Sequence, residues 1–312
     1  MKYLIAVLLF LSVSSASAQL FPSRSFMPSF TFRDPTDITS STKYLTQQGM
    51  WGNLSRGFES EGQRFAWDIS FGGFFELVQW KKSNISFVGD FEVLADIYNN
   101  ISFNPRAIYW TEGFLYSLNL AQDSVGIGQD LAFGYTHRCR HDIDNIDYNT
   151  VGSGEERTLI YGSLNARYLI RNIPAELFPN MRLHLGFQLD QYLIRQDDRL
   201  PKPDPLKPLP QQYDIDSLNT SLSMNLKADL AKWDSTILYV REHAILSAYN
   251  AYSTITLNLR EELGLEFSGA GTRMNIFAGI EGFDRDDYNR PIPTPSNFFY
   301  VGFRFIGKNV GL

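Results

Sequence analysis

The chain has 312 residues, a formal charge of −6, 14% aromatic residues and a mean hydropathy of −0.21. No basic tract stands out to neutralise phosphates, so nothing supports nucleic-acid binding, and the single cysteine, Cys139, excludes an internal disulfide framework. Apolar mass is plentiful, but it is interleaved with polar residues.

Residues 1–18 have the anatomy of a secretory signal: Lys2, an apolar segment from Leu4 to Val13, and the small-residue motif Ala16-Ser17-Ala18. An apolar segment of about ten residues is half of what a helical anchor needs. The expected mature chain begins at Gln19, outside the cytoplasm. A lone thiol there is buried, paired with another chain, or used.

Residues 19–62 are poorly patterned and are expected to hold a first strand, around Phe26 to Phe32, or a plug. From residue 63 to 312 the dominant period is two. Leu183, Leu185, Phe187 and Leu189 alternate with Arg182, His184, Gln188 and Asp190, and Leu222, Met224 and Leu226 with Ser221, Ser223 and Lys227. The pattern recurs at Ile255, Leu257 and Leu259, at Met274 and Ile276, and at Phe299, Val301, Phe303 and Phe305. These rows predict strands near 64–80, 84–96, 106–120, 125–141, 157–171, 181–195, 217–231, 235–247, 252–267, 272–283 and 297–307.

Several exceed the five or six residues usual in soluble sheets and suit the roughly nine to eleven that cross a bilayer at a tilt. Short connections (Lys81-Lys82-Ser83, Ala121 to Ser124, Lys232 to Asp234, Gly269 to Gly271) separate long ones, among them Asp142 to Glu156 and the proline-rich Gln196 to Asp216. Trp67, Trp80, Trp110, Tyr168, Tyr192, Trp233 and Tyr300 fall near strand ends. The pattern predicts an all-β, antiparallel up-and-down transmembrane β-barrel of about 12 strands in the outer membrane of a Gram-negative bacterium, with both termini periplasmic. A secreted β-sandwich shares the alternation but not the loop asymmetry. Arg167, Arg182, Asp190, Lys227, Asp229, Arg260, Glu262, Glu281 and Arg304 would then face a lumen plugged by salt bridges.

The stretch Phe133 to Asn145, FGYTHRCRHDIDN, carries two of the four histidines and the only cysteine. Leu131, Phe133, Tyr135, His137, Cys139 and His141 share the apolar row, which in a barrel faces lipid, at the outer-leaflet rim. His137-Arg138-Cys139 resembles the His-x-Ser of outer membrane phospholipase A, whose serine nucleophile and histidine base face the lipid they hydrolyse. The resemblance implies that Cys139 is the nucleophile and His137 the base of a lipid acyl hydrolase, with His141 beside them. The family orients its histidine with an asparagine from the next strand, where this chain has only Asn165. The segment also resembles uncharacterised bacterial outer-membrane barrels.

Two other readings stay open. His137, Cys139 and His141 form a one-faced N/S/N donor set for zinc or copper, to which Asp142 or Asp144 adds oxygen, although three residues on a straight strand span about 13 Å; calcium would enter as a cation bridging lipopolysaccharide. In the other, His and Arg form a polar collar, and Arg138 and Arg140 with Asp142, Asp144 and Asp147 contact outer-membrane lipid and lipopolysaccharide. No GxSxG, P-loop, HExxH or CxxC motif is present.

Overall fold

Period-two alternation presents each strand's residues to two different surroundings, and the chain uses this over almost all of its described length. The computed structural model describes residues 39–58, 67–95, 105–122, 126–142, 156–175, 181–200, 218–249, 254–269, 271–283, 296–307 and 310. The signal segment, the strand expected at Phe26 to Phe32 and most of the long loops lie outside these residues.

The strands are β1 (Thr39–Tyr44), β2 (Gln48–Phe58), β3 (Trp67–Lys81), β4 (Ser83–Ala95), β5 (Pro105–Gln122), β6 (Gly128–Asp142) and β7 (Glu156–Pro174). They continue as β8 (Arg182–Leu200), β9 (Leu218–Trp233), β10 (Thr236–Tyr249), β11 (Thr254–Ser268), β12 (Thr272–Phe283) and β13 (Ser296–Gly307). From β2 onward each pairs antiparallel with the next, and β13 returns to pair with β2, so the sheet closes. Both β1 and β2 lie along the same edge of β3, β1 against Val78 to Lys81 and β2 against Trp67 to Phe75. They are two pieces of one strand, interrupted at Leu45, whose φ of 49° no strand accommodates. Twelve strands therefore close the barrel, an even number as bacterial barrels require.

The first strand expected within residues 19–62 is thus found at 39–58, not around Phe26 to Phe32. Its pattern is scrambled: Trp51 faces inward while Gly52 and Arg56 occupy the outward row, so hydrophobicity does not alternate there.

The rows sort by environment, with the polarity of a water-soluble protein inverted. Phe71, Phe114, Phe133, Leu189, Leu263 and Ile276 are exposed on the exterior. Arg140, Arg167 and Arg304 are almost wholly buried inside, each no more than 2% exposed. Buried charges persist only when paired, and here the pairs link separate strands. Arg138 meets Glu92 at 3.0 Å, Arg171 meets Asp130 at 2.6 Å, and Lys227 meets Glu266 at 3.2 Å. Glu262 takes two guanidinium hydrogen bonds from Arg304, at 2.8 and 3.1 Å, and one from Arg260 at 3.2 Å. Arg260 also reaches toward Asp68 on β3, 3.9 Å away. Arg182, expected among these lumen charges, instead lies exposed at the short-turn end, where its strand begins.

The two ends of the lumen differ. At the short-turn end, periplasmic in barrels of this kind, Trp51, Phe74, Val88, Leu115, Ile306 and Val310 form an apolar cluster. At the long-loop end Tyr161, Tyr192, Leu218 and Tyr249 pack together. Tyr192 and Tyr300 therefore do not join the aromatic collar expected of them: they are inward residues of their strands, 7% and 1% exposed. Trp80, Trp110 and Trp233 do face outward, each about half exposed, as indoles at a lipid interface do.

One exterior feature breaks the apolar pattern. Glu242 and Glu261 are register partners on β10 and β11, in rows that carry exposed Leu246 and Leu257 on one side and Leu263 and Leu265 on the other. Like charges directly opposed across a ladder repel, and a carboxylate on the lipid face is poorly solvated. Glu242→Leu is expected to stabilise the folded barrel by about 1 kcal/mol, read as a higher urea midpoint in lipid vesicles; a lower midpoint would show that the pair is structurally required.

Candidate functional site

On β6, Asp130, Ala132, Arg138 and Arg140 are buried in the lumen, whereas Phe133 is half exposed and His141 exposed on the other face. His137, Cys139 and His141 thus share the outward row, as the alternation predicted. Register fixes their neighbours. His137 stands between Glu112 of β5 and Gly162 of β7, Cys139 between Trp110 and Ile160, and His141 between Ile108 and Thr158. Gly162 leaves the outer surface flat enough for the Tyr135 side chain to lie across it, its hydroxyl resting where a Cβ would be.

Two polar contacts define the geometry. The Trp110 indole N–H donates to Glu112 Oε2 at 3.2 Å. The Thr158 hydroxyl lies 3.3 Å from His141 Nδ1. Among the described residues no hydrogen bond joins the His137 imidazole to the Cys139 thiol, consistent with the roughly 6.6 Å between same-face neighbours on a strand.

Asn165, the next-strand asparagine, cannot orient His137. It is buried in the lumen, where its amide donates to Thr136 Oγ1 at 2.7 Å and its carbonyl accepts from Arg167 Nε at 3.1 Å. The carboxylate that does face His137 comes from the preceding strand. The phospholipase pattern points to the following strand and so does not reach Glu112, although the alternation Trp110-Thr111-Glu112 places it outward.

Nor do Arg138 and Arg140 stand where a head-group collar would use them. A head-group collar needs them outside, yet they are 6% and 1% exposed in the lumen, with Arg138 paired to Glu92 and stacked 4.8 Å from the Tyr109 ring centroid. Their even positions put them opposite the histidines. Among the described residues no three His, Cys, Asp or Glu side chains come together as metal ligands. Asp142 ends β6 opposite Ala107, and Asp144, Asn145, Asp147 and Asn149 lie outside the described residues.

A closed antiparallel barrel with an apolar exterior, a charged interior, short turns at one end and long connections at the other has lipid as its outer solvent. The chain is an outer-membrane β-barrel. No family model and no curated protein matches it. Among solved structures it is similar to outer membrane phospholipase A from Escherichia coli, at 12% identity and a TM-score of 0.44, covering 84% of this chain and 93% of that one. The Salmonella typhi outer membrane phospholipase dimer with bound calcium gives 11% and 0.43, covering 91% and 96%. The translocator domain of the autotransporter NalP from Neisseria meningitidis gives 10% and 0.40, covering 84% and 87%. At these values no residue role passes from them to this chain.

Chemically, the outward patch offers a carboxylate, two imidazoles, a thiol and an indole at the edge of an apolar band. Such a set can bind polar head groups. Acyl transfer would require the His137 ring to engage the Cys139 thiol on one side and Glu112 on the other.

Proposed function

We propose that this protein is an outer-membrane barrel with a structural and surface-binding role, exported by residues 1–18. Its working surface is the exterior around His137, Cys139 and His141 at the outer-leaflet rim, and its partners are outer-membrane lipid and lipopolysaccharide. The carrying observation is the division of polar groups. The interior charges are spent on one another across the lumen, whereas the imidazoles lie outside, beside Trp110 and Thr158. A lumen filled in this way gives no route for passive diffusion.

Two measurements on the purified barrel in vesicles test this reading. Sugar efflux should equal that of protein-free vesicles, and His137→Ala with His141→Ala should weaken lipopolysaccharide binding severalfold. Porin-like efflux, or binding unaffected by the double substitution, would reject it.

The second reading is a phospholipase or lipid A hydrolase using Cys139 and His137, and Glu112 directly opposite His137 favours it. It requires release of fatty acid from phospholipid or lipid A, abolished by Cys139→Ala or His137→Ala in a barrel that still folds. No release from either lipid rejects this second reading.

A further inference from the structure

A barrel must close between its first and last strands, which no hairpin joins. Here that junction is β13 against β2, and its ladder has eight residue pairs, from Phe299↔Phe58 to Ile306↔Trp51. It is the shortest of the twelve junctions among the described residues; β12 and β13, for comparison, share twelve pairs. Local opening follows the parts of a structure with the fewest backbone bonds and buried contacts, so this junction is the one most in need of support.

Support comes from beyond β13. Val310 is 1% exposed, inside the apolar cluster at the periplasmic end, with Trp51 of β2, Phe74 of β3 and Ile306 of β13. Its backbone N–H donates to the Gly307 carbonyl at 3.2 Å. Its own carbonyl accepts a hydrogen bond from Arg273 Nη2 of β12 at 2.8 Å. Its Cγ2 lies 2.7 Å from where a side chain on Gly49 of β2 would begin. The socket exists because position 49 has no side chain.

We propose that Val310 is a staple across the closing junction. From the lumen side one residue is held by β12 through Arg273, by β13 through Gly307, and by β2 through the Gly49 socket and Trp51. Separating β13 from β2 requires either pulling Val310 out of its apolar pocket or breaking the Arg273 hydrogen bond. The staple thereby sets how readily the barrel opens sideways, toward lipid, at this junction and nowhere else.

Hydrogen exchange of the full-length barrel in lipid nanodiscs, read strand by strand, tests this. In Val310→Asp the amides of β2 and β13 should exchange at least tenfold faster, while those of β7 and β8 keep their rates. Arg273→Ala, which leaves the apolar pocket intact, should give the same local pattern to a smaller degree, and serves if Val310→Asp does not insert. Val310→Ile should resemble the parent. Unchanged exchange in β2 and β13, or acceleration spread evenly around the barrel, would overturn the proposal in either variant.

Discussion

Arg304→Ala is expected to lower the unfolding free energy of the barrel by about 3–5 kcal/mol, the usual cost of removing one partner from a buried ion pair. The guanidinium of Arg304 is 2% exposed, makes both of its Glu262 hydrogen bonds in the lumen, and lies 4.6 Å from the centroid of the Phe277 ring. Truncation leaves the Glu262 carboxylate, 4% exposed, with one hydrogen bond from Arg260 and the charge of Arg241 nearby. The cost therefore lies more in the stranded charge than in the lost bonds. Arg304→Met combined with Glu262→Gln should recover a substantial part of it, because a neutral amide asks less of its surroundings. Urea titration in lipid vesicles, followed by tryptophan fluorescence, measures both. A loss below about 1 kcal/mol for Arg304→Ala would mean that water reaches the lumen, and the closed-lumen reading would fall with it.

Gly113→Val should be comparably damaging, by about 3 kcal/mol, through overpacking rather than charge. Gly113 faces the lumen on β5 opposite Thr136, next in sequence to Glu112. A Cβ there would stand 2.5 Å from the Tyr135 carbonyl oxygen and 3.1 Å from the Thr136 Cα. Those are backbone atoms of the neighbouring strand and cannot rotate away, so β5 and β6 would have to separate. Because that separation lies directly behind Glu112 and His137, Gly113→Val should also reduce lipopolysaccharide binding in whatever fraction still folds. Parent-like stability would show that the two strands have slack at this point.

The barrel was legible because its two solvents differ so strongly. Rows such as Leu183 to Leu189 against Arg182 to Asp190 are forced to alternate when one face meets lipid and the other a packed ionic lumen. The strand at 39–58 escaped for the complementary reason. It is broken at Leu45, and its inward row contains Trp51, which fills the apolar periplasmic end, so neither hydrophobic periodicity nor a continuous run marks it.

The candidate site was legible only in part. Alternation put His137, Cys139 and His141 outside, whereas Arg138 and Arg140, expected at a head-group collar, lie in the lumen because they occupy the opposite row. It could not say that Glu112 of β5 stands opposite His137, nor that Asn165 is committed to Thr136 and Arg167 in the lumen.

What this sequence determines by itself is the set of residues on each face of each strand, and with it a transmembrane barrel, because side-chain alternation is local and needs no knowledge of neighbours. What only the tertiary structure decides is which residues meet: Glu112 with His137, Arg260 toward Asp68, and Val310 with Gly49 and Arg273. Those meetings depend on register and closure. Both are properties of strand pairs rather than of any one strand, because a shift of two residues would keep every face intact and change every partner.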